Sequence, residues 1–357
     1  MPKVLHLLGC QADEQTRQIH RMLFDGIGPE YCSETKTIGC GGDFRNLPTA
    51  VLRLRRQRSD ITCAWGTVAL TAAVLAGHPR VLFSPEVFAG RRALRWIRSL
   101  MDRSNVTFIS PTFTQQRLAI AHGIDPDRCP VVQPGVDFGR IRPRRDPQLR
   151  AALGFNESDF VLVAPGESIR QSSHDHAIWT CGILHVLNPC YKLLIWGRGP
   201  RAKAMMELAE RFHQPDLIIV GETEDTPPRR FEDILPAADV CLVTASGAAP
   251  TLPIATVMAA GVPIVSTVTY MLAELLEDRH TALMVPRRSP RELVQRVLDL
   301  RADPALQARL VDTARAEAYE HFSMTRMLDE YRRIFVGDAQ TKHGDTETRR
   351  KSRESKC

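Results

Sequence analysis

Phe160-Val161-Leu162-Val163-Ala164-Pro165-Gly166 is a short apolar run that stops on a proline and a glycine. A run with no polar alternation suits a strand buried on both faces, as in a parallel sheet. The figure returns twice downstream. Lys192-Leu193-Leu194-Ile195-Trp196 ends on Gly197-Arg198-Gly199-Pro200, and Leu217-Ile218-Ile219-Val220 ends on Gly221-Glu222. Helical stretches at Ala177–Leu187 and Ala202–Arg211 separate these runs. The order continues with a short helix at Phe231–Ala237, a strand at Val240–Val243 and a helix at Pro253–Ala260. Strands at Pro263–Ser266 and Thr281–Val285 follow, then helices at Pro290–Arg301 and Pro304–Tyr319. Alternation of this kind predicts a doubly wound α/β domain. Ligands of such sheets collect at the carboxyl ends of the strands, where glycine lets backbone come close.

Working outward, the N-terminal half repeats the alternation. Strands are predicted at Lys3–Leu8, Asp60–Trp65, Arg80–Phe83, Val106–Ile109 and Val131-Val132. Helices are predicted at Glu14–Leu23, Pro48–Arg58, Val68–Ala76, Arg91–Met101 and Thr114–His122. The charged, proline-rich segment Phe138–Pro147 reads as a linker. The expected organisation is an N-terminal domain over 1–140, a C-terminal domain over 141–322, a last helix within 323–336 and a tail over 337–357. The tail is polar, charged and without apolar period, and is expected to be disordered.

Composition bounds the function. The 357 residues are 43% hydrophobic, enough for two cores, and the net charge of +6 is too mild for a dedicated nucleic-acid binder. Nine scattered cysteines without C-x-x-C spacing read as buried thiols in a reducing compartment. No apolar span is long enough to cross a membrane. The Met1–Leu8 stretch is too short for a signal segment. The expectation is a cytoplasmic protein, soluble or peripheral at the inner membrane face.

The second half resembles glycosyltransferase family 4, a retaining group with the GT-B fold. The resemblance is carried by Val132-Gln133-Pro134-Gly135-Val136-Asp137, by Lys192–Val220 with its terminal glycines, and by Ala237-Ala238-Asp239-Val240. Val257-Met258-Ala259-Ala260-Gly261-Val262-Pro263-Ile264-Val265 and His321-Phe322-Ser323 complete it. It is continuous over about 105–336 and topological before that. It implies an α/β, GT-B protein, two Rossmann-like doubly wound domains facing a cleft. A nucleotide-sugar would bind mostly to the C-terminal domain. An acceptor of unknown identity, with lipid-linked and polysaccharide molecules among the options, would bind the N-terminal one. No metal or other cofactor is implied.

The family's chemical positions are altered here. In register, Glu167 stands in place of its arginine and Ser172 in place of its lysine, within Gly166–His174. Ala248 and Thr256 replace its two glutamates. Two lost cations would cost a diphosphate site about 3–6 kcal/mol. The donor-site candidates are therefore family positions or substitutes: Gly166, Arg170, Ser172, Gly197, Arg198, Gly199, Gly221, Glu222, Thr251, Leu252 and Thr256. Arg170, Arg198 and Arg201 are possible replacement cations, and Thr256 keeps one hydroxyl for a ribose. The N-terminal glycine-rich turn is replaced by Gly9–Glu14, and the family's histidine would fall near Pro85 or Glu86. Two readings stay open: a glycosyltransferase of hexosyl type, or a degenerate GT-B protein acting as a binding or regulatory subunit.

Two other patterns carry alternatives. His174-Asp175-His176 reads as a metal pair lacking a third ligand, or as a solvated loop and helix start that Asp175 could cap. Arg91–Met101 places Leu94, Ile97 and Met101 on one face and Arg91, Arg95 and Arg98 on the other. That suits an anionic membrane surface or an ordinary half-buried helix. Cys10 has no partner at catalytic spacing and reads as a structural thiol.

Overall fold

The computed structural model of the protein describes residues 1–9, 12–38, 47–85, 90–142, 145–197, 199–212, 218–220, 230–247, 251–286 and 289–337. The chain divides into two compact units. One takes the described residues of Met1–Gln11, Ile27–Val132 and Asp329–Cys357; the other takes Ala12–Gly26 and Gln133–Leu328.

Unit 1 is built on five parallel strands in the order β2-β1-β3-β4-β5. They are β1 (Lys3–Gly9), β2 (Cys32–Ile38), β3 (Ile61–Trp65), β4 (Val81–Ser84) and β5 (Val106–Phe108). Its helices are α2 (Leu47–Arg55), α3 (Thr67–Ala76), α4 (Arg91–Met101) and α5 (Phe113–Ala121), α1 being Glu14–Gly26 of unit 2. The central strands are mostly apolar, as strands of a covered parallel sheet are, and β3 is buried at every residue. No apolar run announces β2 in the sequence. As the sheet's edge it exposes Glu34, Thr35, Lys36 and Thr37, and so needs none. The expected strand at Val131-Val132 reduces to one bridge between Ser110 and Val131.

Unit 2 has six parallel strands in the order β11-β10-β9-β6-β7-β8. They are β6 (Phe160–Pro165), β7 (Tyr191–Trp196), β8 (Ile218–Val220), β9 (Val240–Val243), β10 (Ile264–Thr267) and β11 (Leu283–Val285). The helices are α6 (Pro147–Ala152), α7 (His174–Leu187), α8 (Ala202–Arg211), α9 (Phe231–Ile234), α10 (Thr251–Ala260), α11 (Leu272–Leu275), α12 (Pro290–Ala302) and α13 (Pro304–His321), and α14 (Met324–Val336) belongs to unit 1 from Asp329 on. The order reverses between β6 and β9, which makes that edge a topological switch point. The expected linker runs directly into α6: Asp146 accepts from Leu149 N–H and Pro147 starts the helix where no donor is needed.

The segment before β6 is tied down by a buried ion pair. Arg150 and Asp239 are both about 4% exposed and in direct contact, and Asp239 Oδ2 also accepts from Val161 N–H at 2.8 Å. Tail residues 338–357 lie outside the described residues.

Candidate donor site

The register of the two central strands builds the site. Pro165 of β6 pairs with Trp196 of β7, so the loops that follow leave the sheet side by side. Gly166, Gly197 and Gly199 have φ of +95°, +102° and +97°, in the left-handed region that favours glycine. A Cβ on Gly197 would lie 2.8 Å from the Gly166 carbonyl carbon, and one on Gly199 would lie 2.9 Å from Ser168 N. These two glycines press the β7 loop against the backbone of the β6 loop. Arg198, Gly221 and Glu222 lie outside the described residues.

The β6 loop is folded on itself. Ser172 Oγ donates to Glu167 O at 2.6 Å, and Ile169 N–H donates to the same oxygen at 2.8 Å. Thr244 Oγ1 donates to Ser172 O at 3.0 Å, and Ser246 N–H to Gln171 O at 2.8 Å, which fastens the loop to the end of β9. Ser172 is thus buried and its proton is committed, whereas Arg170 projects from the loop, exposed.

The His-Asp-His stretch is not solvated as a whole. α7 begins at His174, behind Ser173 in the left-handed conformation, so Asp175 lies in its first turn and is not the cap. His174 is 2% exposed; its Nδ1 is 3.1 Å from Ser168 Oγ and its Nε2 3.3 Å from Pro165 O. A carbonyl only accepts, so Nε2 carries the proton and Nδ1 accepts from the serine. Burial pushes its pKa down to about 4. Among the described residues no group of three His, Cys, Asp or Glu could hold a metal.

Helix α1 closes the site along one side. Asp13 accepts from Thr16 N–H at 2.7 Å and caps it. The Glu14 N–H donates to the Glu167 carboxylate, whose pKa is raised, mainly by burial and then by the nearby Asp13. Gln15 Oε1 accepts from Leu252 N–H at 3.1 Å at the start of α10, and Gln18 Nε2 donates to Glu232 at 3.2 Å. α10 starts at Thr251, two residues before the expected Pro253. Thr251 Oγ1 is buried there without a partner among the described residues. One turn on, Thr256 Oγ1 donates back to Leu252 O at 2.8 Å, which leaves its lone pairs as acceptors.

Thr256 lines a cavity of about 260 Å³ with Gln18, Arg21, Asp137, Arg140 and Glu232. Glu232 is 4% exposed and held by Arg140 at 3.3 Å. Sequence reasoning finds no carboxylate at Ala248 or Thr256; the fold brings one to this cavity from α9. The sequence offers only the acidic pair Glu232-Asp233 at the start of a short helix, without family register to mark it.

In unit 1, α4 turns Leu94, Ile97, Leu100 and Met101 into the core. Its outward side carries Arg91, Arg92, Arg95 and Arg98 with Trp96, whose Nε1 donates to Thr71 Oγ1 at 3.1 Å. The apolar face is already covered, so it cannot enter a lipid layer. No described helix is long and apolar enough to cross a membrane. Cys32, Cys63, Cys129, Cys181, Cys190 and Cys241 are free thiols; Cys10, Cys40 and Cys357 lie outside the described residues.

Comparison with known proteins places this geometry. Residues 162–303 match the family model for Glycosyl transferases group 1. Over the whole chain, the protein resembles the Anabaena protein Alr3699/HepE, solved in complex with UDP-glucose, with a TM-score of 0.78 at 16% identity, covering 94% of this chain and 100% of that one. The sucrose-phosphate synthase of Thermosynechococcus elongatus gives a TM-score of 0.76 at 14% identity, with coverage of 94% and 100%. The fold is therefore GT-B, two Rossmann-like α/β domains with parallel sheets. In sequence, the D-inositol 3-phosphate glycosyltransferase of Mycolicibacterium vanbaalenii is 25% identical over 271 residues, 72% of this chain and 59% of the relative. The N-acetyl-alpha-D-glucosaminyl L-malate synthase of Bacillus anthracis is 21% identical over 226 residues, 61% of this chain and 58% of the relative. The chain spans between 41% and 59% of the length of the D-inositol 3-phosphate glycosyltransferases it matches. In sequence it is similar to glycosyltransferases over part of its length.

Proposed function

We propose that this protein is a GT-B glycosyltransferase of the family 4 type that binds a nucleotide-sugar donor at the switch point of unit 2 and transfers the sugar with retention. One observation carries the reading. The start of α10, with the buried Thr251 hydroxyl, lies five residues before Thr256 of the Thr256–Glu232 cavity, a rise of about 7.5 Å along the helix. That spacing suits a diphosphate at the helix N-terminus and a ribose in the cavity. The diphosphate takes the Leu252 N–H from Gln15 and meets the Arg170 guanidinium. The ribose hydroxyls donate to Thr256 and Glu232. Charge that develops on the departing diphosphate would then be met by backbone amides and by Arg170.

Calorimetry with UDP-, GDP- and ADP-sugars, followed by a donor-hydrolysis assay, tests this. Removing a charge-assisted contact costs about 1.5–3 kcal/mol, so Arg170→Ala is expected to weaken donor binding about 10- to 100-fold. No binding of any donor at millimolar concentration sinks the proposal.

A second reading is binding without transfer. It is favoured by the Glu167 carboxylate on the Glu14 amide and by the internal bond of Ser172, which together occupy the positions of both family cations. Binding without turnover in the same assays would select it. For the acceptor side, we propose that the guanidinium face of α4 contacts an anionic surface, such as that presenting a lipid-linked acceptor, by charge and not by insertion.

A further inference from the structure

Helix α7 has two apolar faces. Ala177, Ile178, Cys181 and Leu184 are buried in the core of unit 2. On the other side Trp179 is 46% exposed, Ile183 38%, Val186 86% and Leu187 63%. Trp179, Ile183 and Val186 are spaced i, i+4, i+7, so they form one stripe, with Leu187 at its flank. The stripe is ordered: the Trp179 ring packs on Phe212 with centroids 4.0 Å apart. From Ala177 to Leu187 the helix contains no Asp, Glu, Lys or Arg. Scattered apolar residues on a surface are ordinary, but a contiguous stripe marks an interaction site.

We infer that this stripe is the contact of a two-fold dimer between copies of this chain. A second copy fits because the face is self-complementary. With no charge along it, like charges never oppose across the axis. An antiparallel crossing centred near Ile183 lays Trp179 of one copy over Val186 of the other, about 10 Å along the helix. The exposed side chains amount to roughly 500 Å² per copy and so about 1,000 Å² per pair, the floor for a specific interface. The polar tail from Asp338 to Cys357 contains no Val, Ile, Leu, Met or aromatic residue and does not fit the stripe.

Sedimentation velocity of the full chain between about 1 and about 100 µM tests the inference, since a dimer must follow mass action. The wild type is expected to reach the mass of two chains. Ile183→Glu and Ile183→Lys should each sediment as one chain, and their equimolar mixture should return to two, because position 183 faces itself near the axis. Val186→Glu repeats the test at a side chain too exposed to disturb packing, with circular dichroism as the check on folding. A wild type that stays monomeric overturns the inference, as it would if another protein or a lipid covers the stripe. So does a dimer that survives both Ile183→Glu and Val186→Glu, or a mixture that fails to reassociate.

Discussion

His174 joins the loop after β6 to the stability of unit 2. Its ring is neutral in the folded state, with a pKa lowered from 6.5 to about 4 by burial. An unfolded chain takes up the proton near pH 6.5, so the unfolded state binds more protons between that pH and about 4. The stabilising contribution is full above pH 6.5 and is lost as pH falls through that window. For one such histidine the loss between pH 7 and pH 5 is about 2 kcal/mol. Urea unfolding at the two pH values should therefore show a smaller drop for His174→Gln than for the wild type; equal drops would reject the assignment. His20 on α1 has a pKa lowered to about 4 for the same leading reason, burial, so the single variant removes only part of the acid sensitivity.

At the scale of elements, α4 shows what a sequence pattern leaves open. Its amphipathic period announces a helix with one apolar face, but a period does not say what covers that face. Here it is the unit's own core, which restricts any membrane contact to arginines and one half-exposed tryptophan. Flotation on anionic liposomes should then be lost at high salt and reduced by Arg95→Glu. Flotation that persists in high salt would mean insertion and contradict the packing. The same limit explains the rest of the comparison. Buried strands such as Phe160–Pro165 and Lys192–Trp196 were legible because burial on both faces imposes an unbroken apolar run. β2 was not, since an edge strand facing water has no such constraint. In the site, Gly166, Gly197 and Gly199 were legible as strand-end glycines, yet two of them approach a neighbouring loop. Glu232 was illegible, because its place beside Thr256 depends on a tertiary contact between α1, α9 and α10.

At the scale of the whole molecule, the chain is interleaved. Val136 N–H donates to Phe322 O at 2.6 Å and Met324 N–H to Val136 O at 3.0 Å, so the two crossing strands of chain are bonded side by side. Beyond them, α14 completes unit 1. Tyr331 is buried beside Ser84, Phe335 packs edge-on to Tyr31 with centroids 5.2 Å apart, and Arg80 donates to Phe335 O at 2.7 Å. A fragment ending at Val132 lacks all three contacts. Its thermal melt is expected to be broad or absent, and a sharp transition matching that of the intact protein would show that α14 is dispensable.

That return of the chain sets an order of events during synthesis. Domains emerging from the ribosome ordinarily fold in turn, the N-terminal one first. Here the first strands of unit 1 are translated about 300 residues before the helix that seals them, roughly 15–60 s at ordinary elongation rates. Unit 2 can close around its own sheet during that interval, while the surface awaiting Tyr331 and Phe335 stays open to chaperones. The nascent protein is therefore most exposed to misassociation just before α14 is released.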